Sequence, residues 1–278
     1  MQVFYLAKAE LTIDTHTHSD LSPDGNDPAE RLATCAAANG LDVLCITDHF
    51  EVPEKEDAAY RDLLQTRYHE ILQTRQRHTA DPCILAGLEL GGAIYDPAFA
   101  EDLLRRYDFD FVLNSLHHIF YPDGPVDYYN VDYQRHDPQA LLRDYFEKLY
   151  NQCRLGLYDS LAHIDYPTRY MRLKGIDCPL EPLYDVIDQV LRLVAQQGKA
   201  LEINTSGLFA DFHTTLPGLE IVKRFKALGG ELITIGSDAH AAPLVGRGFA
   251  NGVEIARQAG FRYIAYYKRR QPVLVKII

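Results

Sequence analysis

Seven short apolar runs in this chain each lead into polar side chains: Leu11–His18 (LTIDTHTH), Val43–His49 (VLCITDH), Ile84–Glu89 (ILAGLE), Phe111–His118 (FVLNSLHH), Ser160–Asp165 (SLAHID), Ala200–Asn204 (ALEIN) and Leu232–His240 (LITIGSDAH). Imidazoles and carboxylates dominate these ends, and they are the ligands that zinc, iron and manganese accept. His16 and His18 are one residue apart, so on an extended chain both rings point to the same side and can chelate one ion. Asp48 and His49 add an acid and a third imidazole. Glu89 follows Gly87-Leu88, where a carboxylate can bridge two ions through its two oxygens. His117 and His118 are adjacent and point opposite ways on an extended chain, so one of them is expected to face the others. His163 sits in an otherwise apolar strand, and Asp238-Ala239-His240 places a carboxylate and an imidazole on one side of the chain. Each feature alone has a plainer explanation: a turn-capping histidine, a solvated acid, a hydrogen-bonded core histidine. Separate explanations at every run are improbable, and strand tips are where barrel enzymes build active sites.

The elements that must position these groups alternate. Helical periodicity is expected over Pro28–Asn39, Asp57–His78, Ala98–Arg106, Pro138–Asn151, Glu181–Gln197, Gly218–Leu228 and Leu244–Ala259. Pro28 after Asp27 reads as a first-turn proline behind a capping aspartate. Gly40, Gly198 and Gly229-Gly230 fit helix C-termini. The strand runs are apolar on both faces, as parallel strands covered by helices are. Phe261–Tyr267 offers one more strand. This alternation predicts an α/β fold, an irregular TIM-like (β/α)7 barrel with a metal site at the C-terminal ends of its strands. An open doubly wound sheet is the alternative, but it does not bring every strand tip to one centre.

The chain has 278 residues, 47% of them hydrophobic, with no linker or low-complexity run, so one domain over residues 1–278 is expected. No apolar stretch is long enough to cross a membrane, and the start lacks the build of a signal peptide. Five cysteines form no C-x-x-C pair and read as reduced cytoplasmic thiols. A net charge of −11 argues against partners held by a long phosphate backbone.

The ordered series H-x-H, T-D-H, G-x-E, S-x-H, A-H-I-D and G-S-D-A-H resembles the PHP (polymerase and histidinol phosphatase) superfamily. The stretches DTHTHSDLSPDG, SLAHIDYPTRY and LEINTSGL are most similar to its monofunctional histidinol-phosphate phosphatases, and the motifs run from Asp14 to Phe249. The resemblance implies two or three divalent ions, zinc, iron or manganese. It places His16, His18, Glu89 and Asp238 on the first, Glu89, His117 and His163 on the second, and Asp24, His49 and His240 on the third. His117 is preferred over His118 because it matches S-x-H through Ser115. Some relatives carry histidine where this chain has Asp24.

The expected reaction is hydrolysis of a small phosphomonoester, L-histidinol phosphate first, in histidine biosynthesis. A water shared by two ions is acidified to hydroxide near neutral pH and attacks the ester in line. Glu89, Asp238 and His240 form the expected catalytic set. Arginine suits phosphate because its planar fork matches it; Arg169, in the loop after His163, is the first candidate and Arg247 the second. Where those phosphatases carry a basic residue after N-T-S-G-L, this chain reads Phe209-Ala210-Asp211-Phe212-His213, so His213 or Asp211 is expected to act on the substrate. The tyrosine-rich insertion His118–Pro138 is expected to form a lid or wall, with Asp123, Asp127, Tyr128, Tyr129 and Asp132 facing a cationic group. The alternatives are a phosphoesterase acting on nucleotides or nucleic-acid ends, and a non-catalytic metal-binding PHP module.

Overall fold

The apolar runs become strands because both their faces are covered: VLCI, ALEIN and LITIG are buried at every residue. The structure, a computed structural model, describes residues 4–5, 11–55, 57–121, 124–210 and 213–277. Its strands are β1 (Phe4–Tyr5), β2 (Ile13–Asp14), β3 (Val43–Ile46), β4 (His49–Glu51), β5 (Cys83–Gly91), β6 (Phe111–Ser115), β7 (His118–Tyr121), β8 (Gly124–Asp127), β9 (Ser160–Leu161), β10 (Ala200–Asn204), β11 (Leu232–Gly236), β12 (Tyr263–Lys268) and β13 (Gln271–Lys276). The helices are α1 (Ala29–Ala38), α2 (Ala58–Arg77), α3 (Pro97–Arg106), α4 (Pro138–Cys153), α5 (Tyr166–Leu173), α6 (Tyr184–Gln196), α7 (Leu219–Ala227) and α8 (Phe249–Gln258).

Parallel pairing runs in the order β11-β10-β9-β6-β5-β3-β2, with β4 joined to β5. The ends of this path then meet: Thr15 N donates to Ile235 O at 3.1 Å, Asp238 N to His16 O at 2.8 Å and His18 N to Ala239 O at 2.9 Å. The sheet is therefore a nearly closed seven-stranded barrel with helices around it, not an open sheet. Its seam passes through His16, His18 and Asp238, so closing the barrel and assembling the ligand residues are one event.

Several local expectations change in three dimensions. Asp27 does not cap α1; Pro28 occupies that position, and Asp27 Oδ2 accepts from Ala242 N at 2.8 Å instead. Asp57, Asp96 and Asp137 do cap their helices. The last helix starts at Phe249, because Gly248 has a φ of +82° and breaks the run from Leu244. Phe261–Tyr267 does not extend the barrel: β12 pairs antiparallel with β13, which pairs with β1. The β12–β13 turn docks under the N-terminal strand ends, where Arg269 N donates to Asp110 Oδ1 at 3.0 Å and the Arg270 guanidinium meets Asp159. All five cysteines are free thiols.

Gly236 ends β11 directly behind the first H-x-H ring. A Cβ there would lie 2.3 Å from His16 Cβ and 2.5 Å from Glu202 Oε1. Gly236→Ala is expected to cost about 1–3 kcal/mol through overpacking and to displace His16. Thermal unfolding that matches the parent within error would show that the strand end gives way freely.

Candidate metal centre

The ligand candidates converge on Glu89. This residue is completely buried, lies near the C-terminal end of β5, and is the direct cross-strand partner of His49. Its Oε2 is faced by His49 Nδ1 at 2.9 Å, His16 Nε2 at 3.1 Å and His18 Nε2 at 3.4 Å. Its Oε1 is faced by His163 Nε2 at 3.0 Å and His117 Nε2 at 3.2 Å. Asp238 Oδ1 approaches His18 Nε2 at 3.3 Å and His16 Nε2 at 3.5 Å. Asp24 reaches across the mouth, with Oδ2 3.0 Å from His240 Nε2 and Oδ1 3.7 Å from His49 Nε2. His18 is stacked between His49 and His240, each ring centroid 4.3 Å away.

The other histidine nitrogens explain this orientation. His240 Nδ1 lies 2.9 Å from Asp238 O, a carbonyl that can only accept, so Nδ1 carries the proton and Nε2 turns a lone pair inward. His16 Nδ1 meets Glu202 Oε1 at 2.7 Å, and His117 Nδ1 meets Glu51 Oε1 at 2.6 Å. A carboxylate behind an imidazole fixes ring and tautomer in metal sites. Glu202 and Glu51 were missed as site residues in the sequence, although both carried a signal. Glu202 is an acid inside the apolar run ALEIN; Glu51 lies two residues beyond His49 and so shares its side of β4. Glu202 also accepts from His163 N at 2.9 Å, tying β10 to the turn after β9.

A third support comes from α2. Arg67, only 1% exposed, donates from Nε to Leu21 O at 2.6 Å and from Nη1 to His49 O at 2.5 Å. One guanidinium thus joins the loop that carries Asp24 to the strand that carries His49. Tyr60, seven residues earlier on the same helix, accepts from Glu51 N at 2.8 Å.

Two residues at the strand tips stand outside the cluster. Asp48 accepts from Ser19 N at 2.6 Å and Ser19 Oγ at 2.7 Å, so it shapes the loop after His18. His118 turns to Glu51 and Glu54 while His117 faces Glu89, because the chain bends between β6 and β7. His163 lies two residues past the short β9, in a turn and not within a strand.

The electrostatics of this metal-free arrangement are those of crowded charge. Burial would raise Glu89, but His49, His16 and His117 hold it well below the carboxylate range. Asp238 is likewise held down against burial by His16, His18 and His240. Burial would lower His49, yet Glu89 and Asp24 push it up to about 10. His16 and His117 are also raised, whereas burial and the neighbouring His240 and His49 push His18 well below its ordinary value. His18 Nε2, His49 Nδ1 and His240 Nε2 are buried without a hydrogen-bond partner. Four groups offer three convergent ligand atoms within 4.8 Å of one another: His18, His49 and His240; His16, His18 and Asp238; His16, Glu89 and His163; His49, Glu89 and His117. Buried imidazole nitrogens left without partners beside carboxylate oxygens are the donor set a divalent ion accepts.

A cavity of about 710 Å³ opens beside the cluster and is lined by Asp238, His240, Arg169 and Arg247, among others. Arg169 lies on α5, a helix and not the loop expected after His163; Pro167 in its first turn suits a helix start. Its Nη1 is 3.4 Å from Asp238 Oδ2. Arg247 stacks on Phe209 at 3.5 Å. His213 is exposed, with Nδ1 3.3 Å from Leu208 O, and is not among the residues lining this cavity. Asp123 and Asp211 lie outside the described residues. In the insertion, a β7–β8 hairpin followed by two short 3-10 turns, Tyr128 is fully buried and so cannot serve as wall, and Asp132 caps Gln134 N. Asp127 and Tyr129 do line the cavity.

With this geometry in hand, comparisons with known proteins agree on one class. Residues 14–206 match the PHP domain, and the chain belongs to that family. It is 30% identical over 265 residues to a protein of Deinococcus radiodurans named "Probable histidinol-phosphatase", covering 93% of this chain and 98% of that one. It is 28% identical over 260 residues to the histidinol-phosphatase of Lactococcus lactis, covering 92% and 94%. The crystal structure of the Lactococcus lactis histidinol phosphate phosphatase, complexed with zinc, L-histidinol and phosphate, superposes with a TM-score of 0.80. That match has 24% identity and covers 95% of this chain and 99% of that one. It shows the shared fold.

Metal uptake is expected to release protons. His49, His16 and His117 have raised pKa values and therefore hold protons near neutral pH until an ion displaces them. Apparent affinity for Zn²⁺ or Mn²⁺ should rise with pH as these protons come off. Calorimetry of metal binding in buffers of different ionisation enthalpy reads the count; identical heats in all buffers would contradict the assignment.

Proposed function

We propose that this protein is a metal-dependent phosphatase that hydrolyses L-histidinol phosphate to L-histidinol and phosphate. The observation that carries the reading is a single buried carboxylate, Glu89, shared between two sets of imidazoles, beside a cavity walled by two arginines. The relatives named histidinol-phosphatase, alike over more than nine-tenths of the chain, supply the substrate.

In this reading His16, His18, Glu89 and Asp238 hold one ion, and Glu89, His117 and His163 a second. Asp24, His49 and His240 hold a third. Such ions, zinc, iron or manganese, acidify water and neutralise phosphate charge when bound. The chain's own groups do the rest. Glu202 and Glu51 hold His16 and His117 by Nδ1, so Nε2 already points inward and becomes the ligand atom, without rotation, once its proton is displaced. Glu89, wholly enclosed, sets the spacing of the two ligand sets. Asp238 couples the ligand set to the phosphate wall, with Oδ1 toward His16 and His18 and Oδ2 toward Arg169. His240 is tied to the same residue through its carbonyl. Arg169 binds the phosphate with a fork matched to it, and Arg247, held flat by Phe209, flanks the other side.

The direct test is metal analysis of the purified protein together with phosphatase assays on L-histidinol phosphate and nucleoside monophosphates. Glu89→Gln keeps the side-chain volume but removes the shared charge, and should abolish turnover with the fold intact by circular dichroism. Activity near the parent level would reject the shared-carboxylate mechanism. Arg169→Ala should raise KM roughly 10- to 100-fold, the loss expected for charge-assisted hydrogen bonds to phosphate, without changing metal content. A kinetically silent variant would transfer the phosphate anchor to Arg247.

A further inference from the structure

The mouth of the site is divided by charge. On one side lies the cavity with Arg169 and Arg247. On the other side of the ligand cluster a second compartment of about 610 Å³ is lined by Glu51, Glu54, His118, Asp127 and Asn130 together with His49 and His117, and among the described residues by no lysine or arginine. Asp24, Asp127, Asn130 and Tyr166 border both spaces, so one elongated ligand can occupy the two at once.

The metal-ligand scheme leaves the acidic groups of this compartment unused. Glu51 gives Oε1 to His117 Nδ1 at 2.6 Å, which leaves its buried Oε2 turned to the His118 side of the compartment. His118 Nδ1 faces that oxygen at 3.2 Å, and the Glu51 carboxylate raises the His118 pKa against burial. The same imidazole has its Nε2 3.8 Å from Glu54 Oε1. Burial raises the Glu54 pKa, and the charges of Glu51 and Asp127 raise it further. Asp127, on the β7–β8 hairpin, uses one oxygen to cap Tyr129 N. Carboxylates held close together at the edge of a polar cavity gain from a positive charge brought between them.

We propose that this second compartment is the subsite for the cationic end of the substrate, with Glu54 and Asp127 as the specificity-determining carboxylates. This rests on the phosphatase reading and deepens it. A phosphate seated at the ligand cluster is drawn toward Arg169 and Arg247, and the same arginines repel an ammonium or imidazolium. The two walls therefore orient a zwitterionic ester in one sense only: phosphate toward the arginines, amine toward Glu54. A hydrogen-bond acceptor in this compartment adds recognition that aromatic stacking alone does not give.

The test uses the metal-loaded enzyme and a matched pair of esters, 2-aminoethyl phosphate and ethyl phosphate, with L-histidinol phosphate assayed in parallel. The parent should prefer the ammonium ester in kcat/KM. Glu54→Gln should reduce that preference roughly tenfold, as loss of one charge-assisted hydrogen bond does, and Glu54→Asp should retain it. Equal use of the two esters by the parent, a preference unchanged in Glu54→Gln, or loss of a bound metal in that variant would each overturn the assignment. A parent that prefers the ammonium ester yet ignores L-histidinol phosphate would uphold the compartment and reject the named substrate.

Discussion

Everything in this molecule is arranged around one buried carboxylate. Glu89 has no exposure to solvent, and five imidazoles from four separate stretches of chain face its two oxygens. An ionised acid in that position is prohibitively expensive without compensating positive charge. Protons on the surrounding histidines supply that charge in the metal-free state, and divalent ions supply it more effectively because several lone pairs then share one centre. The barrel brings the donors together, and the positive charge on the surrounding imidazoles is what lets the buried acid stay ionised.

The layer behind the ligands keeps that arrangement single-valued. Glu202 from β10 and Glu51 from β4 each accept from the outer nitrogen of a ligand-set imidazole. Arg67 does comparable work on the backbone, linking Leu21 and His49 from a helix that contributes no ligand candidate itself. Its burial is tolerable because two carbonyls and the Tyr60 ring surround it. These supports make α2 part of the site even though none of its residues faces Glu89.

The mouth adds direction to this symmetric-looking centre. Arginines on α5 and in the turn before α8 line one wall, and acids on the β4–α2 connection and the β7–β8 hairpin line the other. None of these four segments belongs to the closed ring of strands. The barrel thus supplies the buried cluster, and its loops line the two spaces at the mouth.

Much of this was legible in the linear chain. Apolar runs ending in histidine and acid announced both the strands and the donors, because strand periodicity and ligand type are local properties. His16 and His18 were certain to share a side for the same reason. The preference for His117 over His118 followed a motif; in space the bend after Ser115 turns His117 toward Glu89 and His118 toward Glu51 and Glu54. Tertiary structure decided what depends on distant partners. Glu202 reads as an odd acid in a strand until β10 lies beside the H-x-H tip, 186 residues away in sequence. Asp27 looked like a helix cap until Ala242 N arrived to claim it. Asp48 stood among the acids at the strand ends, and in space Ser19 takes both its oxygens. Arg169 became a rim residue only once α5 folded over the cluster. Side-chain type and spacing determined which chemistry was possible; the closure of the barrel, by bringing remote partners within hydrogen-bond reach, determined which carboxylates face the metal centre and which only support it.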